Sequence, residues 1–237
     1  MPLRIQVIVE GQGDENAILR LLTKIWAALG GDYLEPLRPF RQPQGTLRKK
    51  EGLHRAVNAA WIQLGYRATP NTRKVLLLLM DSEGHCPAKL APKLLEWAKK
   101  ARSDADIICV LAHPMFETWF AACASSLADY NDLPADLTTP ANPEGQGLGK
   151  GWLKKQLARK YQEPIDQPKF VSKMDIPMCR ANSPSFEKLC KELSRRLPSA
   201  PAGEAGTEKA EKAGEAQSET DAAVQEDGGH DGDSSTG

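Results

Sequence analysis

The sequence has no long hydrophobic run: the longest strongly apolar stretch covers residues 75–80. A helix that spans a bilayer needs about 20 apolar residues, so we expect no membrane span. The short apolar stretch at the start is interrupted by Glu10, which is not typical of a secretory signal. We therefore expect a cytoplasmic protein that does not bind membranes.

Paired cysteines and zinc-binding motifs are also lacking. The five cysteines are an odd number at irregular spacing, and no two of them form a C-x-x-C pair. This pattern favours reduced thiols over a disulfide framework, and it does not have the ligand spacing of a structural zinc site. Reduced thiols agree with a cytoplasmic location.

No complete nucleotide-binding signature is present. Gly11 and Gly13 follow the first apolar segment, but Asn16 stands where a dinucleotide fingerprint has its third glycine. The acid expected at the end of the second strand is missing, and there is no G-x-x-x-x-G-K-[ST] motif. We therefore expect no nucleotide cofactor.

A net charge of zero hides two unlike parts of the chain. Residues 199–237 hold ten acids and two bases, which leaves 29 bases and 21 acids in residues 1–198. The tail is rich in Ala, Gly, Glu and Ser and has no aromatic residue, a composition that predicts disorder. A basic body suggests a polyanionic partner, and the acidic tail either competes weakly with that partner or only keeps the protein in solution.

Strand and helix patterns alternate in the first half of the chain and predict an α/β fold, with an open, mainly parallel β-sheet flanked by helices. The predicted strands cover residues 5–9, 33–40, 75–80 and 107–111, and the predicted helices cover a segment capped by Asp14 and residues 53–64, 90–98 and 116–127. Residues 75–80 lack polar alternation, as expected of a central strand that is covered on both faces.

The domain boundaries follow from these patterns. Residues 1–130 are predicted to form the α/β domain, and residues 131–198 a loop and a helical extension that packs on it. In the extension, residues 152–161 read as a basic amphipathic helix, and Ser183 with Pro184 supplies the start of a last helix. Residues 199–237 are the disordered acidic tail.

Acidic residues follow three of the predicted strands: Glu10, then Asp81 with Glu83, then Glu117. Ligands of open parallel sheets bind at the carboxyl ends of the strands, so these carboxylates are expected to converge. Carboxylates held together repel one another and need a cation. Their hard oxygen donors suit Mg²⁺ or Mn²⁺, which stabilise the oxygens of a phosphodiester during cleavage.

Ordinary explanations exist for each acid. Glu10 could belong to a charged turn near a helix N-terminus, and Asp81 could belong to an unremarkable strand-end turn. Glu117 could be a solvated helix residue or the partner of an arginine. His113 is expected to be structural. We favour a metal-binding site over these explanations because acids follow several of the predicted strands.

With the acids placed on strand ends, the sequence resembles the Toprim-like superfamily, which is shared by topoisomerases, DnaG-type primases and OLD-type nucleases. More narrowly, it resembles an uncharacterised bacterial family of Toprim-like proteins. The matching motifs are Val9-Glu10-Gly11, the acidic pair Asp81 and Glu83, Phe116-Glu117-x-Trp119, Met174-Asp175, and Ser183-Pro184-Ser185-Phe186-x-x-Leu189. The superfamily has Asp-x-Asp where this chain has Asp81-x-Glu83.

The resemblance implies metal-dependent phosphoryl transfer on nucleic acid. Glu10 would be the general acid or base, Asp81 and Glu83 would bind Mg²⁺ or Mn²⁺, and Glu117 would be a further ligand or would support one. The longer side chain of Glu83 moves its carboxylate by about one methylene relative to an aspartate. Relatives are also associated with defence or repair systems and with ABC-type or AAA-type ATPase partners.

Basic residues are the candidates for binding the nucleic-acid backbone. They are Arg48, Lys49 and Lys50 before the second long helix, Lys154 and Lys155 in the basic helix, and, from the resemblance alone, Lys173 and Arg180. The ordinary alternative for each group is a solvated face.

Two main hypotheses follow. The first is a Mg²⁺- or Mn²⁺-dependent nuclease that acts on DNA, with RNA less favoured. The alternative is a non-catalytic Toprim-like regulatory subunit that binds nucleic acid or an ATPase partner. Nucleic-acid synthesis, as in primases, ranks last because the sequence has no template-binding zinc module.

Overall fold

The computed structural model describes residues 2–145 and 148–198, with only the backbone of residues 12–14. Up to Pro198 the chain forms one unit, which includes both the α/β part and the predicted extension. The acidic tail, for which disorder was predicted, lies outside the described residues.

A parallel sheet lies at the centre of this unit, and every strand pairing among the described residues is parallel. Its strands are β1 (Leu3–Val9), β2 (Leu34–Pro36), β3 (Phe40–Arg41), β4 (Arg73–Asp81) and β5 (Asp106–Ala112). The order across the sheet is β2-β1-β4-β5, and β3 also pairs with β1. The predicted α/β class with a mainly parallel sheet is therefore confirmed.

Helices flank the sheet. They are α1 (Gln12–Ala28), α2 (Gln44–Leu47), α3 (Lys50–Gly65), α4 (Pro87–Ala101), α5 (Thr118–Ala122), α6 (Lys150–Gln156), α7 (Glu163–Lys173), α8 (Ile176–Asn182) and α9 (Pro184–Ser194). Among the residues that the structure describes, no helix is long and apolar enough to cross a membrane.

The central strand β4 is buried on both faces, as its uninterrupted apolar run predicts. Val75, Leu77 and Leu79 belong to a core that includes α1 and the helices of the extension. Leu76 and Leu78 belong to a second core with α3 and α4. The alternation places successive side chains on opposite faces of the strand, so that the sheet is the middle layer of three.

The predicted strand over residues 33–40 is wrong as a single element. It is divided into β2, which ends at Pro36, and β3, which begins after Pro39. Proline has no N–H to give to a strand ladder, so the two prolines limit each piece to a few residues. Between the pieces, the side-chain amide of Gln6 donates to the carbonyl of Arg38 at 2.6 Å.

Helix boundaries differ from the predictions in three places. Helix α1 begins at Gln12, so Asp14 lies in its first turn and is not the N-cap, and residues 11–13 are not a separate turn. The helix predicted over residues 116–127 is the short α5 followed by a 3₁₀ turn, Ala124–Leu127. The basic helix ends at Gln156 rather than at residue 161.

The last predicted helix, α9, is confirmed together with its start signal. The Ser183 hydroxyl accepts a hydrogen bond from the Phe186 backbone N–H, and Pro184 occupies the first turn. Asp175 caps α8 in the same way, through the backbone N–H of Met178. Helix α9 packs on β5 and α7 packs on α1, which fixes the extension against the sheet.

Candidate functional site

The predicted acids meet at one edge of the sheet because their strands are neighbours. Strands β1, β4 and β5 are adjacent and parallel, so their carboxyl ends lie side by side. Glu10 follows β1, Asp81 ends β4, and Glu117 follows β5 by five residues. These three residues and Glu83 line one pocket.

Backbone amides orient the first two carboxylates. The Asp81 backbone N–H donates to Glu10 Oε1 at 2.6 Å, and the Phe116 backbone N–H donates to Asp81 Oδ1 at 2.8 Å. Glu10 is therefore held by the end of β4, and Asp81 by the connection that follows β5. Because the donors belong to the backbone, the orientation of both carboxylates depends on the fold and not on a flexible side chain.

Glu83 lies in a tight turn after β4. Its φ is +46°, in the left-handed region that L-residues adopt at a cost, and Gly84 follows at φ +82°. The Glu83 backbone N–H donates to the carbonyl of Pro114 at 3.0 Å. Arg48 holds the same turn by donating to the carbonyls of Asp81 and Ser82 at 3.1 and 3.3 Å.

Glu117 is buried, with 2% of its surface exposed. Its Oε1 accepts hydrogen bonds from the Tyr161 hydroxyl and the Gln167 side-chain amide, each at 3.2 Å. Lys150 Nζ lies 3.8 Å from the same oxygen. Glu117 is therefore neither a solvated helix residue nor the partner of an arginine, the two ordinary explanations for it. Burial, together with the Glu117 charge, also raises the pKa of Tyr161.

The pocket has a volume of about 180 Å³, and helices of the extension form its second side. We name Glu10, Asp81 and Glu83 the strand acids and Lys150, Glu163 and Gln167 the helix side. Gly11 and Gln44 complete the described lining. The helix side was not predicted from the sequence.

Lys150 reaches the pocket because the chain before it packs closely on the β5–α5 connection. A Cβ on Gly149 would lie 2.6 Å from Met115 Sδ, so that a larger residue would require the Met115 side chain to move. The Thr118 hydroxyl donates to the carbonyl of Leu148 at 2.8 Å and fixes the same approach. In the sequence this segment is part of a long Gly- and Pro-rich stretch, which gave no sign that its lysine would be placed precisely.

Glu163 and Gln167 lie on α7. They are four residues apart, a spacing that places both side chains on one face of a helix. A helical assignment of this segment would have found the pair, but Pro164 and Pro168 are both inside α7, and proline is typical of helix ends.

A charge balance holds this side of the pocket together. Lys150 Nζ is 3.0 Å from Glu163 Oε1 and 3.8 Å from Glu117 Oε1. Burial opposes the charge of this ammonium, but Glu117, Glu163 and Asp81 outweigh burial and raise the pKa of Lys150. Lys150 therefore carries a full positive charge among the acids.

The side chains present suit a hard divalent cation in their donor chemistry. Carboxylate oxygens dominate the pocket, and Gln167, which is 1% exposed, has an Oε1 with no hydrogen-bond partner among the described residues. Carboxylate and amide oxygens are the ligands that Mg²⁺ and Mn²⁺ prefer. In the conformation described, however, no group of three or more His, Cys, Asp or Glu side chains within residues 2–145 and 148–198 is arranged to hold a metal ion.

Two of the predicted groups of nucleic-acid-binding lysines adjoin residues that contact or line the pocket. Lys49 and Lys50 are exposed and follow Arg48, which contacts the β4 turn and lies 3.9 Å from Glu83. Lys154 and Lys155 are exposed on α6, whose first residue is Lys150.

Lys173 and Arg180 are not brought to the acids, contrary to the expectation that they reach the site. Lys173 ends α7, and the helical rise of about 1.5 Å per residue places it about 15 Å along the axis from Glu163 at the other end. Its Nζ lies over the Tyr130 ring, 5.3 Å from the centroid. Arg180 pairs with Glu187 at 2.6 Å and lines a different depression.

Comparison with known proteins identifies the family. A family model described as a domain of unknown function, DUF4276, matches residues 9–194. Neither a curated protein nor a solved structure matches the chain. The matched segment contains the strand acids, Glu117 and the whole helix side. The chain therefore belongs to the DUF4276 family.

Proposed function

We propose that this protein is a Toprim-like, Mg²⁺- or Mn²⁺-dependent nuclease that hydrolyses phosphodiester bonds of DNA, with RNA as a less favoured substrate. The main support is the row of carboxylates at the carboxyl ends of β1, β4 and β5, in which backbone amides orient Glu10 and Asp81. Parallel α/β sheets bind their ligands at this edge.

The resemblance to Toprim-like proteins agrees with this arrangement. A glutamate after the first strand and an acidic pair after the central strand are the features that the resemblance predicts, and here both face one pocket. The proposal does not depend on the second acid being an aspartate, because Glu83 lines the same pocket.

Asp81, Glu83 and Gln167 would hold the metal ion, and Glu117 would support it from the buried side through the hydrogen bond to Gln167. A bound Mg²⁺ or Mn²⁺ would stabilise charge on the phosphodiester oxygens. Glu10 would act as the proton-transfer group: it would take the proton of the attacking water or return one to the leaving oxygen. The amide of Asp81 keeps the Glu10 carboxylate at the pocket for that transfer.

Positive side chains beside the pocket would hold the backbone of the nucleic acid. Lys49 and Lys50 are exposed and follow Arg48, which contacts the turn after β4, and Lys154 and Lys155 are exposed on α6, the helix that begins with Lys150. Neutralisation of phosphates by such lysines supplies affinity without base specificity.

An ABC-type or AAA-type ATPase partner is part of the proposal because of the resemblance. A cytoplasmic location is proposed because the five cysteines are free thiols.

The test is cleavage of supercoiled plasmid, single-stranded DNA and RNA by the purified protein in Mg²⁺ or Mn²⁺. We expect the wild-type protein to cut DNA, and Glu10→Ala and Asp81→Ala to be inactive. The matched control is Asp104→Ala, which removes an exposed acid that pairs with Arg102 far from the pocket.

Identical products from the wild type and both site variants would show that a contaminant cuts the DNA and would refute the nuclease. Metal-independent binding of DNA without any cleavage would instead support the non-catalytic regulatory subunit.

A further inference from the structure

Lys150 is a cationic side chain in the lining of the pocket. Its ammonium lies between two carboxylates, 3.0 Å from Glu163 and 3.8 Å from Glu117. One of these acids is almost fully buried, and the lysine itself is 37% exposed. A side chain with this much exposure has room to move away from the acids towards solvent.

The charges around the pocket explain why a cation is needed there. Five acids line it: Glu10, Asp81, Glu83, Glu117 and Glu163. Among the described lining residues, Lys150 is the only cation. Ionised carboxylates in one small pocket repel one another unless a positive charge lies among them, so Lys150 stabilises the acids in the absence of any bound ion.

Glu117 is the acid for which this matters most. It is almost fully buried in the lining of the pocket, and its Oε1 accepts hydrogen bonds from Tyr161 and Gln167 and lies 3.8 Å from the ammonium of Lys150. An uncompensated charge that is buried costs several kcal/mol. Either Lys150 or another cation must therefore stay close to Glu117.

We propose that Lys150 is a built-in counterion that competes with the divalent cation for the acids of this pocket. The ammonium neutralises Glu117 and Glu163 while the pocket holds no metal, and it releases them when Mg²⁺ or Mn²⁺ binds. This inference rests on the proposed metal dependence of the site, and it adds that metal affinity is set by the displacement of Lys150.

A neutral oxygen in the pocket agrees with this exchange. Gln167 offers an unpartnered, buried Oε1 beside Glu117, and this neutral oxygen cannot pair with a carboxylate but suits a cation.

The test is direct measurement of Mn²⁺ binding to the full-length protein by calorimetry or by electron paramagnetic resonance, with no substrate present. We expect Lys150→Gln to bind Mn²⁺ about tenfold more tightly than the wild type, because a positive charge a few ångströms from the ion is removed. Lys150→Arg keeps the charge and is expected to bind as the wild type does. Lys99→Gln, which removes an exposed lysine in the last turn of α4, is the matched control and should also bind as the wild type does.

The outcomes separate this inference from the proposed function. If the wild type binds Mn²⁺, Asp81→Asn abolishes the binding, and Lys150→Gln leaves the affinity equal or weaker, the counterion role is wrong while the metal site stands. If neither the wild type nor Lys150→Gln binds Mn²⁺ while both remain folded by circular dichroism, the metal dependence itself is wrong. Binding by Lys150→Gln in the absence of wild-type binding would be the strongest support for competition.

Discussion

The two sides of the pocket are held in place by different means. The strand acids Glu10 and Asp81 accept hydrogen bonds from the backbone amides of Asp81, at the end of β4, and of Phe116, in the connection after β5. The helix side is held by side chains: Lys150 pairs with Glu163 and lies near Glu117, and Gln167 donates to Glu117. The strand acids are thus oriented by the sheet, whereas the helix side can rearrange by rotation of side chains.

This difference assigns separate roles to the two sides. Groups that take part directly in a reaction must be held within a fraction of an ångström, which suits the strand acids. Groups that respond to a ligand must be able to exchange partners, which suits Lys150 and Glu163. The predictions below test this division, from the largest expected effect to the smallest.

The strongest contrast is expected in catalysis. Asp81→Asn should lower the rate of DNA cleavage at least about a hundredfold, because it removes a proposed metal ligand. Glu163→Gln should lower the rate about tenfold or less, because this acid contributes charge from a position that can rearrange. Single-turnover cleavage at saturating Mn²⁺ measures both. Equal losses in the two variants would contradict the division.

Among the residues of the pocket, Glu117 is expected to contribute most to the free energy of unfolding, because its carboxylate is buried between the two sides. Glu117→Leu should lower the free energy of unfolding by about 2–4 kcal/mol, because the Tyr161 hydroxyl and the Gln167 amide lose their buried acceptor. Tyr161→Phe should cost only about 1 kcal/mol, because it removes one donor and leaves the acceptor partnered. Urea unfolding at pH 7 measures both values. A cost for Glu117→Leu that is no larger than that for Tyr161→Phe would show that Glu117 does not link the two sides.

A smaller, pH-dependent effect is expected from Asp166, which lies between Glu163 and Gln167 on α7. This carboxylate is fully buried and accepts hydrogen bonds from Arg159 at 2.7 and 3.0 Å and from the Gln162 backbone N–H at 2.7 Å. Burial opposes its ionisation, but these hydrogen bonds outweigh burial and lower the pKa of Asp166.

Because the pKa is lower in the folded state, Asp166 stabilises the fold fully above its unfolded pKa of about 3.9 and loses that contribution as pH falls through its folded pKa. As the pH is lowered from 5 to the acid transition, the free energy of unfolding of Asp166→Asn should therefore fall less than that of the wild type. Urea midpoints measured across this range test the expectation. The control is Asp104→Asn, which removes an exposed ion pair and should leave the profile nearly unchanged. Parallel wild-type and Asp166→Asn profiles would contradict it.

The smallest effects are expected from the flanking lysines. Replacement of Lys49 and Lys50 together by glutamine should weaken DNA binding several-fold and reduce the slope of log affinity against log salt by about one to two. The pair Lys154 and Lys155 should behave in the same way if the nucleic acid spans both sides of the pocket. Lys99 and Lys100, in the last turn of α4 near the opposite edge of the sheet, are the control pair. Equal effects of the control pair would mean that the protein binds DNA without using this edge.

The strand acids could be predicted from the sequence because they follow local patterns. The apolar runs of β1, β4 and β5 mark the strands, and parallel strands bring their ends together whatever the intervening chain does. Local sequence patterns and one rule of sheet topology are therefore enough to predict the strand acids Glu10, Asp81 and Glu83, and also Glu117 after β5.

The helix side could not be predicted in this way. Lys150 depends on the contact between Gly149 and Met115, which joins segments far apart in sequence. Helix α7 contains two prolines and is stabilised by packing on α1 and by Asp166, not by its local propensity. Tertiary contacts decide both features.

The divided strand beside β1 has a consequence for the behaviour of the protein at high concentration. An open sheet edge is a template for pairing with another chain. Here that edge consists of two pieces of three and two residues, separated by Pro39 and filled between them by the Gln6 side chain. Proline and interrupted pairing leave few aligned backbone groups for a second molecule. The edge is thereby protected against self-association into extended β-structure.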